Sequence, residues 1–313
     1  MIESPALRPD GSIVVDPGYD AATRLYLQPS VGFVLPPIPD QPTIHDVEVG
    51  VSLIEEAIGD FPFVDDASRA NAVAVLLTPI IRHFIDGQVP LAIFDAPTMG
   101  TGKSLLVEFI STAVIGRPAA LLEAPESNDE LSKRISSALS TGATLINLDN
   151  IECRLGHASL AACLTTPVWE ARLLGRNDKV IRLAQRAAWV ATGNNVRLAG
   201  DMARRCYWIR LDAKVERPWK RSGFRIPNLI AWTLENRGHL VAALLTIARA
   251  WIVAGKPSAD PLPRLGGFQP WASTIAGMLQ YVGVCGFLGN ADQMTDAADD
   301  EAGEWAAFLA EWR

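Results

Sequence analysis

The residues best suited to chemistry in this sequence form a short glycine-rich loop that could hold phosphate groups. The segment reads APTMGTGKS and ends on Lys103 and Ser104. In such a loop, glycines let backbone N–H groups turn inward around an anion, a lysine reaches the β- and γ-phosphates, and a serine hydroxyl binds Mg²⁺. The pattern predicts that ATP and Mg²⁺ bind at Gly100, Thr101, Gly102, Lys103 and Ser104.

The segments on either side of the loop make this prediction more specific. An apolar, strand-like run, LAIFD at 91–95, leads into the loop, and the apolar run SLLVEFI at 104–110 leads out of it. A strand, a loop and a helix in this order put the loop at the amino end of the helix, where the helix dipole favours anions. One position departs from the usual pattern, because Pro97 stands where its first glycine would be.

A later aspartate is a second candidate ligand for Mg²⁺. The mostly apolar run LINLD at 145–149 predicts a strand that ends on Asp149. A carboxylate at a strand end can hold Mg²⁺ together with phosphates and water; the alternative is an aspartate that caps the following turn. In many ATPases a glutamate follows this aspartate and orients the attacking water. Asn150 stands there instead and cannot accept a proton, so the base lies elsewhere or hydrolysis is slow.

Strand-like and helical runs alternate around these residues, which predicts an α/β fold with a parallel sheet flanked by helices. The predicted strands are Leu91–Asp95, Ala119–Glu123, Ala143–Leu148, Ala188–Thr192 and Cys206–Leu211. The predicted helices between them are Lys103–Val114, Ser127–Leu139 and Leu155–Leu164. Two further runs, 168–174 and 179–183, flank the turn-forming sequence GRND and predict a hairpin.

Composition shifts divide the chain into four predicted parts. Residues 1–43 hold short strand-like runs at 12–15, 24–27 and 32–35 and a dense set of prolines, which indicates a leader or semi-rigid linker. Helical periodicity at 44–88 predicts an amino-terminal helical segment. Residues 89–217 are predicted to form the α/β core. Residues 218–313 are predicted to form a carboxy-terminal helical region, with helices at 228–254, 271–287 and about 301–312. A start such as 1–43 is typical of a fragment of a longer protein; the alternative is a short natural amino terminus.

Overall composition excludes several classes of protein. The chain has 313 residues and a net charge of −7, which argues against attraction to nucleic acid over the whole surface. Its four cysteines form no CxxC pair, so a disulfide scaffold or zinc module is not predicted. The uncharged stretch 265–291 contains six glycines and fits a buried helix better than a membrane span. With no secretory signal pattern at the start, we expect a cytoplasmic protein without a membrane partner.

Four motifs in a fixed order resemble those of an AAA+ ATPase. They are the phosphate loop 97–104, the acidic strand 145–149, the sequence ATGNN at 191–195 and the sequence DMARR at 201–205. More narrowly, the set is similar to the superfamily 3-like helicase domains of replication proteins from phages, plasmids and other mobile genetic elements, which are often joined to a primase-polymerase. The resemblance covers about residues 61–255.

The resemblance implies roles for several further residues. Asn194, or its neighbour Asn195, matches the polar sensor residue that contacts the γ-phosphate or the attacking water. Arg204 and Arg205 match an arginine finger, which completes the site of a neighbouring subunit in a homo-oligomer, usually a hexamer. A planar, always-charged guanidinium suits the charge of a transferring phosphate; the alternative is an ordinary surface arginine pair.

The same resemblance suggests a candidate for the missing catalytic base. In the AAA+ strand order, the strand that ends on Glu123 lies next to the strand of Asp149, at the same edge of the sheet. The Glu123 carboxylate is therefore a candidate base, and Glu152 is its rival just past the Asp149 strand. The alternative is that Glu123 caps the following helix and that Asp149 alone supports slow turnover.

Positive charge is concentrated in one part of the chain. Residues 171–225 hold fourteen Lys and Arg side chains against four Asp and Glu. In the resembled helicases, a hairpin before the sensor strand grips single-stranded nucleic acid, so Arg176 and Lys179 near the predicted hairpin tip are candidate contacts to single-stranded DNA. Such contacts to phosphates are independent of sequence and sensitive to salt. The alternative is a solvated hairpin with ion pairs to Glu170 and Asp178.

Taken together, the sequence predicts an ATP-driven ring ATPase that translocates on single-stranded DNA as a replicative helicase. A second hypothesis is an AAA+ loader or regulatory ATPase, which binds protein partners without unwinding. A third, a small-molecule P-loop kinase, is disfavoured by the TGNN strand end and the later arginine pair.

Overall fold

The computed structural model describes residues 1–152, 154–172 and 180–294. In chain order the strands are β1 (Ala6–Leu7), β2 (Ile13–Val14), β3 (Gly18–Asp20), β4 (Leu25–Leu27), β5 (Leu91–Ala96), β6 (Ala120–Glu123), β7 (Leu145–Ile151), β8 (Val168–Arg172), β9 (Val180–Ala184), β10 (Ala188–Asn194) and β11 (Cys206–Arg210). The helices are α1 (Ile44–Ile58), α2 (Asp66–Ile81), α3 (Lys103–Ile115), α4 (Asn128–Ser140), α5 (Ala158–Thr165), α6 (Leu229–Val253) and α7 (Gln269–Tyr281).

Five parallel strands form the central sheet, in the order β11-β5-β10-β7-β6, and confirm the predicted α/β fold. Every residue of β5 is buried, as expected for a strand covered on both faces. Because the strands are parallel, the carboxyl ends of β5, β10 and β7 meet at one edge of the sheet. The phosphate loop, Asn194 and Asp149 are thereby brought to the same edge.

The helices begin where the sequence offers capping side chains. Thr43 and Asp46 form a reciprocal capping box at the start of α1, and the Ser127 hydroxyl accepts from the Glu130 N–H at the start of α4. In α1, the apolar stripe that includes Val47, Ile54 and Ile58 is buried, as its spacing predicts.

The amino-terminal segment, residues 1–43, packs against the rest of the molecule. Leu7 and Leu27 are fully buried. Arg237 of α6 lies under this segment: its guanidinium donates to the Glu3 carbonyl and to the hydroxyls of Ser4 and Ser30. The segment thus fastens onto α6 through a buried arginine.

Several elements differ from the sequence prediction. Strands β1 and β3 are not among the predicted runs, and β7 begins at Leu145 and continues past Asp149 to Ile151 instead of ending on Asp149. No strand forms at 32–35; the Val34 carbonyl instead packs on α6, so closely that a Cβ on Gly238 would lie 1.9 Å from it. The fifth helix begins after His157, since Leu155 is held extended by backbone bonds to Arg197 and Ala199. Helix α7 stops at Tyr281, shortly before Gly283, whose φ of +80° leaves the helical region.

The predicted last helix, about 301–312, lies outside the described residues. Among the described helices, none combines the length and the apolar character that crossing a membrane requires.

Candidate nucleotide-binding site

The phosphate loop lies between the end of β5 and the start of α3, as the sequence predicts. Gly100 and Gly102 have φ values of +77° and +102°, which residues other than glycine rarely adopt. A Cβ on Gly100 would also lie 3.0 Å from Trp219, and one on Gly102 would lie 3.3 Å from the ring of Phe61. The backbone conformation therefore favours glycine at both positions, and the packing leaves little room for a side chain.

Lys103 is buried at the base of the loop and contacts the sensor position. Its Nζ donates to Oδ1 of Asn194 at 2.6 Å. Burial lowers the pKa of Lys103, and the charge of Asp95 acts in the opposite direction. A cation that is removed from water and bonded to a neutral amide gains from an arriving anion, so this lysine is prepared for a phosphate.

The two asparagines at the end of β10 have different contacts. Asn194 meets Lys103, whereas the Asn195 amide donates to the Pro97 carbonyl at 3.2 Å and holds the start of the loop. Asn195 has a φ of +50°, a conformation that asparagine tolerates better than most residues. Of the two sensor candidates, Asn194 is thus the one that faces the loop cation.

Asp149 lies one strand away from Asn194, on β7. Its Oδ1 accepts a hydrogen bond of 2.6 Å from the hydroxyl of Thr192, and the same hydroxyl accepts from the Asn150 N–H at 3.0 Å. Asn150 has a φ of +51° and follows Asp149 in the strand. The sequence pattern predicts a role for Asp149, but it does not predict the contact with Thr192.

The two candidate bases differ in their surroundings. Glu123 pairs in register with Asp149, as the AAA+ order predicts, but its carboxylate bonds Arg134 at 3.1 Å and is largely exposed. The Glu152 carboxylate accepts instead from the side-chain amide of Asn150 at 2.7 Å. Glu152 is therefore bonded to the residue beside Asp149, whereas the charge of Glu123 is already paired.

A buried carboxylate lies near the end of β5, just before the loop. This residue, Asp95, accepts from the Val196 N–H at 3.0 Å. Burial raises the pKa of Asp95, and this hydrogen bond together with the charges of Arg210 and Lys103 opposes the rise. The side chain thus lies where it can favour the positive charge of Lys103.

A cavity of about 420 Å³ opens against the loop. Its walls are mainly apolar and aromatic, with the glycines of the loop on one side; they include Phe61, Leu105, Trp219, Phe224, Ile226 and Ile230. Asp60 holds the segment that carries the aromatic side chains, because its carbonyl accepts from Arg221 and its carboxylate from the Arg225 N–H. A concave apolar space of this size beside a phosphate loop suits a nucleotide base.

The donor set fits Mg²⁺ when it arrives with a nucleotide. Ser104 is exposed on the first turn of α3 and Asp149 is half-buried, so both can offer oxygen ligands. No group of three or more His, Cys, Asp or Glu side chains that could hold a metal ion occurs within residues 1–152, 154–172 and 180–294. Mg²⁺ commonly takes one or two carboxylates and completes its shell with phosphates and water, which agrees with this set.

The arginine pair lies at the opposite edge of the sheet. Cys206, which follows Arg205, pairs with Leu91, the first residue of β5. The loop begins after the last residue of β5, so the pair and the loop are separated by about 17 Å along that strand. Both guanidiniums bond Asp201; Arg204 is three-quarters exposed, while Arg205 is more buried and also reaches the Ala161 carbonyl.

The predicted hairpin is present, but its tip lies outside the described residues. Strands β8 and β9 pair antiparallel, with Arg172 opposite Val180. Arg176 and Lys179, the candidate contacts to single-stranded DNA, fall in the segment 173–179 that the structure does not describe. In the described part of the hairpin, Arg182 forms an ion pair of 2.9 Å with Glu170.

Three residues at the candidate site were not predicted from the sequence: Thr192, Phe61 and Trp219. Thr192 carries a weak signal, because it lies two residues before Asn194 and strand periodicity puts both on one face. Phe61 and Trp219 carry none, since their meeting at the loop depends on the tertiary fold.

No known family model matches the chain, and no curated protein matches it in sequence. Among solved structures, it is similar to the NrS-1 C-terminal region at 14% identity and a TM-score of 0.47, over 77% of this chain and 54% of that chain. It is also similar to JCV helicase at 12% identity and a TM-score of 0.33, over 80% and 66% of the two chains. This chain thus spans about half the length of the NrS-1 chain, and likeness at this level carries no conclusion about activity.

Proposed function

We propose that this chain is an ATPase subunit of a ring-forming motor that acts on single-stranded DNA, of the AAA+ superfamily 3 helicase type. The observation that carries the proposal is the 2.6 Å hydrogen bond from Lys103 to Asn194. It joins the loop cation to a polar side chain on the strand between the loop and Asp149. A binding cation, a sensing amide and a carboxylate along one sheet edge are the groups that phosphoryl transfer requires.

The neighbouring cavity supports a nucleoside triphosphate as the ligand. With phosphates on the loop, a base can enter the apolar space between the loop and the segment that carries Trp219. Bound Mg²⁺ would be held by Ser104 and Asp149 and would neutralise phosphate charge. Lys103 would exchange the Asn194 amide for a phosphate oxygen, which frees that amide to contact the γ-phosphate or water.

Assembly into a ring accounts for the arginine pair. An arginine about 17 Å from its own loop cannot reach a phosphate there, but it can act on the site of a neighbouring copy. Its exposure makes Arg204 the better candidate for this role in trans, whereas Arg205 is partly buried against α5. We propose a homo-oligomer, with a hexamer as the expected size.

The DNA surface is proposed from charge. The basic segment 171–225 supports contact with phosphates, with Arg176 and Lys179 at the hairpin tip. One observation favours the second candidate, an AAA+ loader or regulatory ATPase: the Arg182–Glu170 ion pair uses a hairpin arginine within the chain itself. A motor would be stimulated by single-stranded DNA, whereas a loader would depend on a protein partner.

ATP hydrolysis measured with and without single-stranded DNA tests both candidates. We expect hydrolysis in the parent, stimulation by DNA that fades with salt, and a light-scattering mass of several subunits in MgATP. Charge reversal at Arg176 and Lys179 should flatten the salt dependence and leave basal hydrolysis intact. Stimulation that is absent would favour the loader, and a chain that binds no ATP would refute the nucleotide site.

A further inference from the structure

Thr192 links strand β10, which carries Asn194, to strand β7, which carries Asp149. Its side chain is 2% exposed and lies in β10, between β5 and β7. The hydroxyl donates to Oδ1 of Asp149 at 2.6 Å and accepts from the Asn150 N–H at 3.0 Å. One hydroxyl therefore bonds both the candidate metal carboxylate and the backbone directly after it.

The local backbone explains why a hydroxyl is needed there. The pairing of β10 with β7 shifts register between Ala191 and Gly193, and Asn150 turns to a φ of +51° opposite this shift. Asn150 is exposed, but its N–H is displaced from the strand ladder and takes a side-chain acceptor in place of a backbone one. Thr192 supplies this acceptor, and its remaining proton is then directed to Asp149.

The consequence is a carboxylate with a defined orientation. A threonine side chain has few χ1 rotamers, so a hydroxyl with two partners is fixed in place. Through this bond, Oδ1 of Asp149 is fixed as well. Thr192 also precedes Asn194 by two residues, so the strand that presents the sensor amide to Lys103 orients the carboxylate too.

We infer that Thr192 is a positioning residue, which orients Asp149 toward a divalent cation bound with the nucleotide. The inference rests on the proposed function, because it concerns the same nucleotide site. It adds a requirement that the loop motif alone does not contain, namely that the affinity for metal–nucleotide depends on a hydroxyl on the neighbouring strand. Supporting groups of this kind commonly change metal affinity or activity by about 10- to 100-fold.

The test compares Thr192→Val with the parent and Thr192→Ser with Thr192→Ala, since each pair differs mainly by the hydroxyl. ATP affinity is measured by calorimetry in Mg²⁺ and in EDTA, next to the Mg²⁺ concentration needed for half-maximal hydrolysis. We expect unchanged affinity in EDTA, loss of most of the gain that Mg²⁺ gives, and at least about a tenfold higher Mg²⁺ requirement for Val and Ala. Ser should behave like the parent.

Thermal unfolding shows whether each variant folds. If Thr192→Val does not fold, the comparison of Thr192→Ser with Thr192→Ala tests the inference. A Mg²⁺ gain in Val or Ala equal to that of the parent would overturn the inference and leave the nucleotide site standing. A parent that binds no ATP in either buffer would instead refute the proposed function itself.

Discussion

The carboxyl edge of the central sheet and the amino-terminal segment use their charged side chains in opposite ways. At the sheet edge, two charges are held by neutral partners, Lys103 by the Asn194 amide and Glu152 by the Asn150 amide, whereas Glu123 pairs with Arg134. An amide partner compensates burial in part but leaves the net charge free for a ligand.

Ion pairs hold charged side chains of the amino-terminal segment, next to the contacts of Arg237 with a carbonyl and two hydroxyls there. The ion pairs of 2.6 to 2.9 Å include Arg8–Asp20 within the segment, and Arg117–Glu3 and Arg249–Asp40, which join it to the rest of the chain. Each of these charges is matched within the chain and has little left for a ligand. The contrast indicates which charged groups of this molecule are available for chemistry and which fasten the fold.

The largest effect should follow from removing the available cation. Lys103→Ala leaves phosphates without the loop lysine, and losing one partner of a desolvated charge pair costs roughly 3 kcal/mol or about 100-fold in affinity. We expect ATP binding by calorimetry to fall at least that far and hydrolysis to stop. The melting temperature should hold, because the variant removes a buried cation and the exposed Asn194 amide can bond water instead.

Arg117→Ala is the matched control from the amino-terminal segment. It removes a paired cation, at the Arg117–Glu3 contact, and should leave ATP affinity within twofold of the parent. Unchanged nucleotide affinity in Lys103→Ala would contradict the comparison and the loop assignment together.

The arginine pair extends the comparison to the opposite edge of the sheet. Both side chains bond Asp201, but Arg204 is exposed and Arg205 also bonds the Ala161 carbonyl. An arginine finger contributes about 10³-fold or more to hydrolysis. We expect Arg204→Ala to slow ATP hydrolysis by about this factor and to leave ATP binding intact. Arg205→Ala should mainly lower the melting temperature, because it removes the bond to the Ala161 carbonyl.

Mixing inactive subunits checks the role in trans. Arg204→Ala combined with Lys103→Ala should recover part of the hydrolysis, because intact half-sites meet at mixed interfaces. Hydrolysis that depends on neither mixing nor protein concentration would assign the arginine to its own subunit or to the fold.

A smaller effect is expected from the two glutamates. Glu152 is held by a neutral amide and Glu123 by the cation of Arg134, so the comparison favours Glu152 as the group that orients water. General-base catalysis contributes about 100-fold or more. At saturating ATP we expect Glu152→Gln to slow hydrolysis by about that factor and Glu123→Gln to stay within threefold of the parent.

Asn150→Ala is the companion variant, because it releases Glu152 and leaves its charge in place. It should slow hydrolysis in the same direction. If Glu123→Gln is the slow variant, the ion pair with Arg134 does not keep Glu123 from acting as the base, and the comparison fails at this point.

Local sequence was enough to predict the strand, loop and helix around Lys103. Glycines at positive φ, a buried strand and a helix start are all encoded within a few residues. Contacts between distant segments were not predictable in this way. The Thr192–Asp149 bond and the packing of Trp219 on Gly100 depend on which strands become neighbours and where the chain returns.

The same limit applies to the amino-terminal segment, for which the dense prolines indicate a linker. Proline restricts the backbone but does not say whether the segment packs. The side chains of Leu7 and Leu27 are buried, and the Arg237 contacts cross more than two hundred residues of sequence. A single sequence gives no sign of such a contact.

The smallest predicted effect concerns a charge that only fastens the fold. The Glu3 carboxylate accepts hydrogen bonds from the Arg117 guanidinium at 2.6 Å and from the Thr144 hydroxyl at 3.1 Å. A partly exposed pair contributes at most about 1 kcal/mol, so Glu3→Gln should lower the free energy of unfolding by about that amount. The denaturant midpoint measures the loss, and Asp40→Asn, at an almost fully exposed carboxylate, should lose less. Nucleotide affinity should not change in either variant, because neither carboxylate contacts the sheet edge that carries the loop. A tenfold weaker ATP affinity in Glu3→Gln would show that the amino-terminal segment is coupled to the site through α3, whose Val114 carbonyl accepts from Ser4.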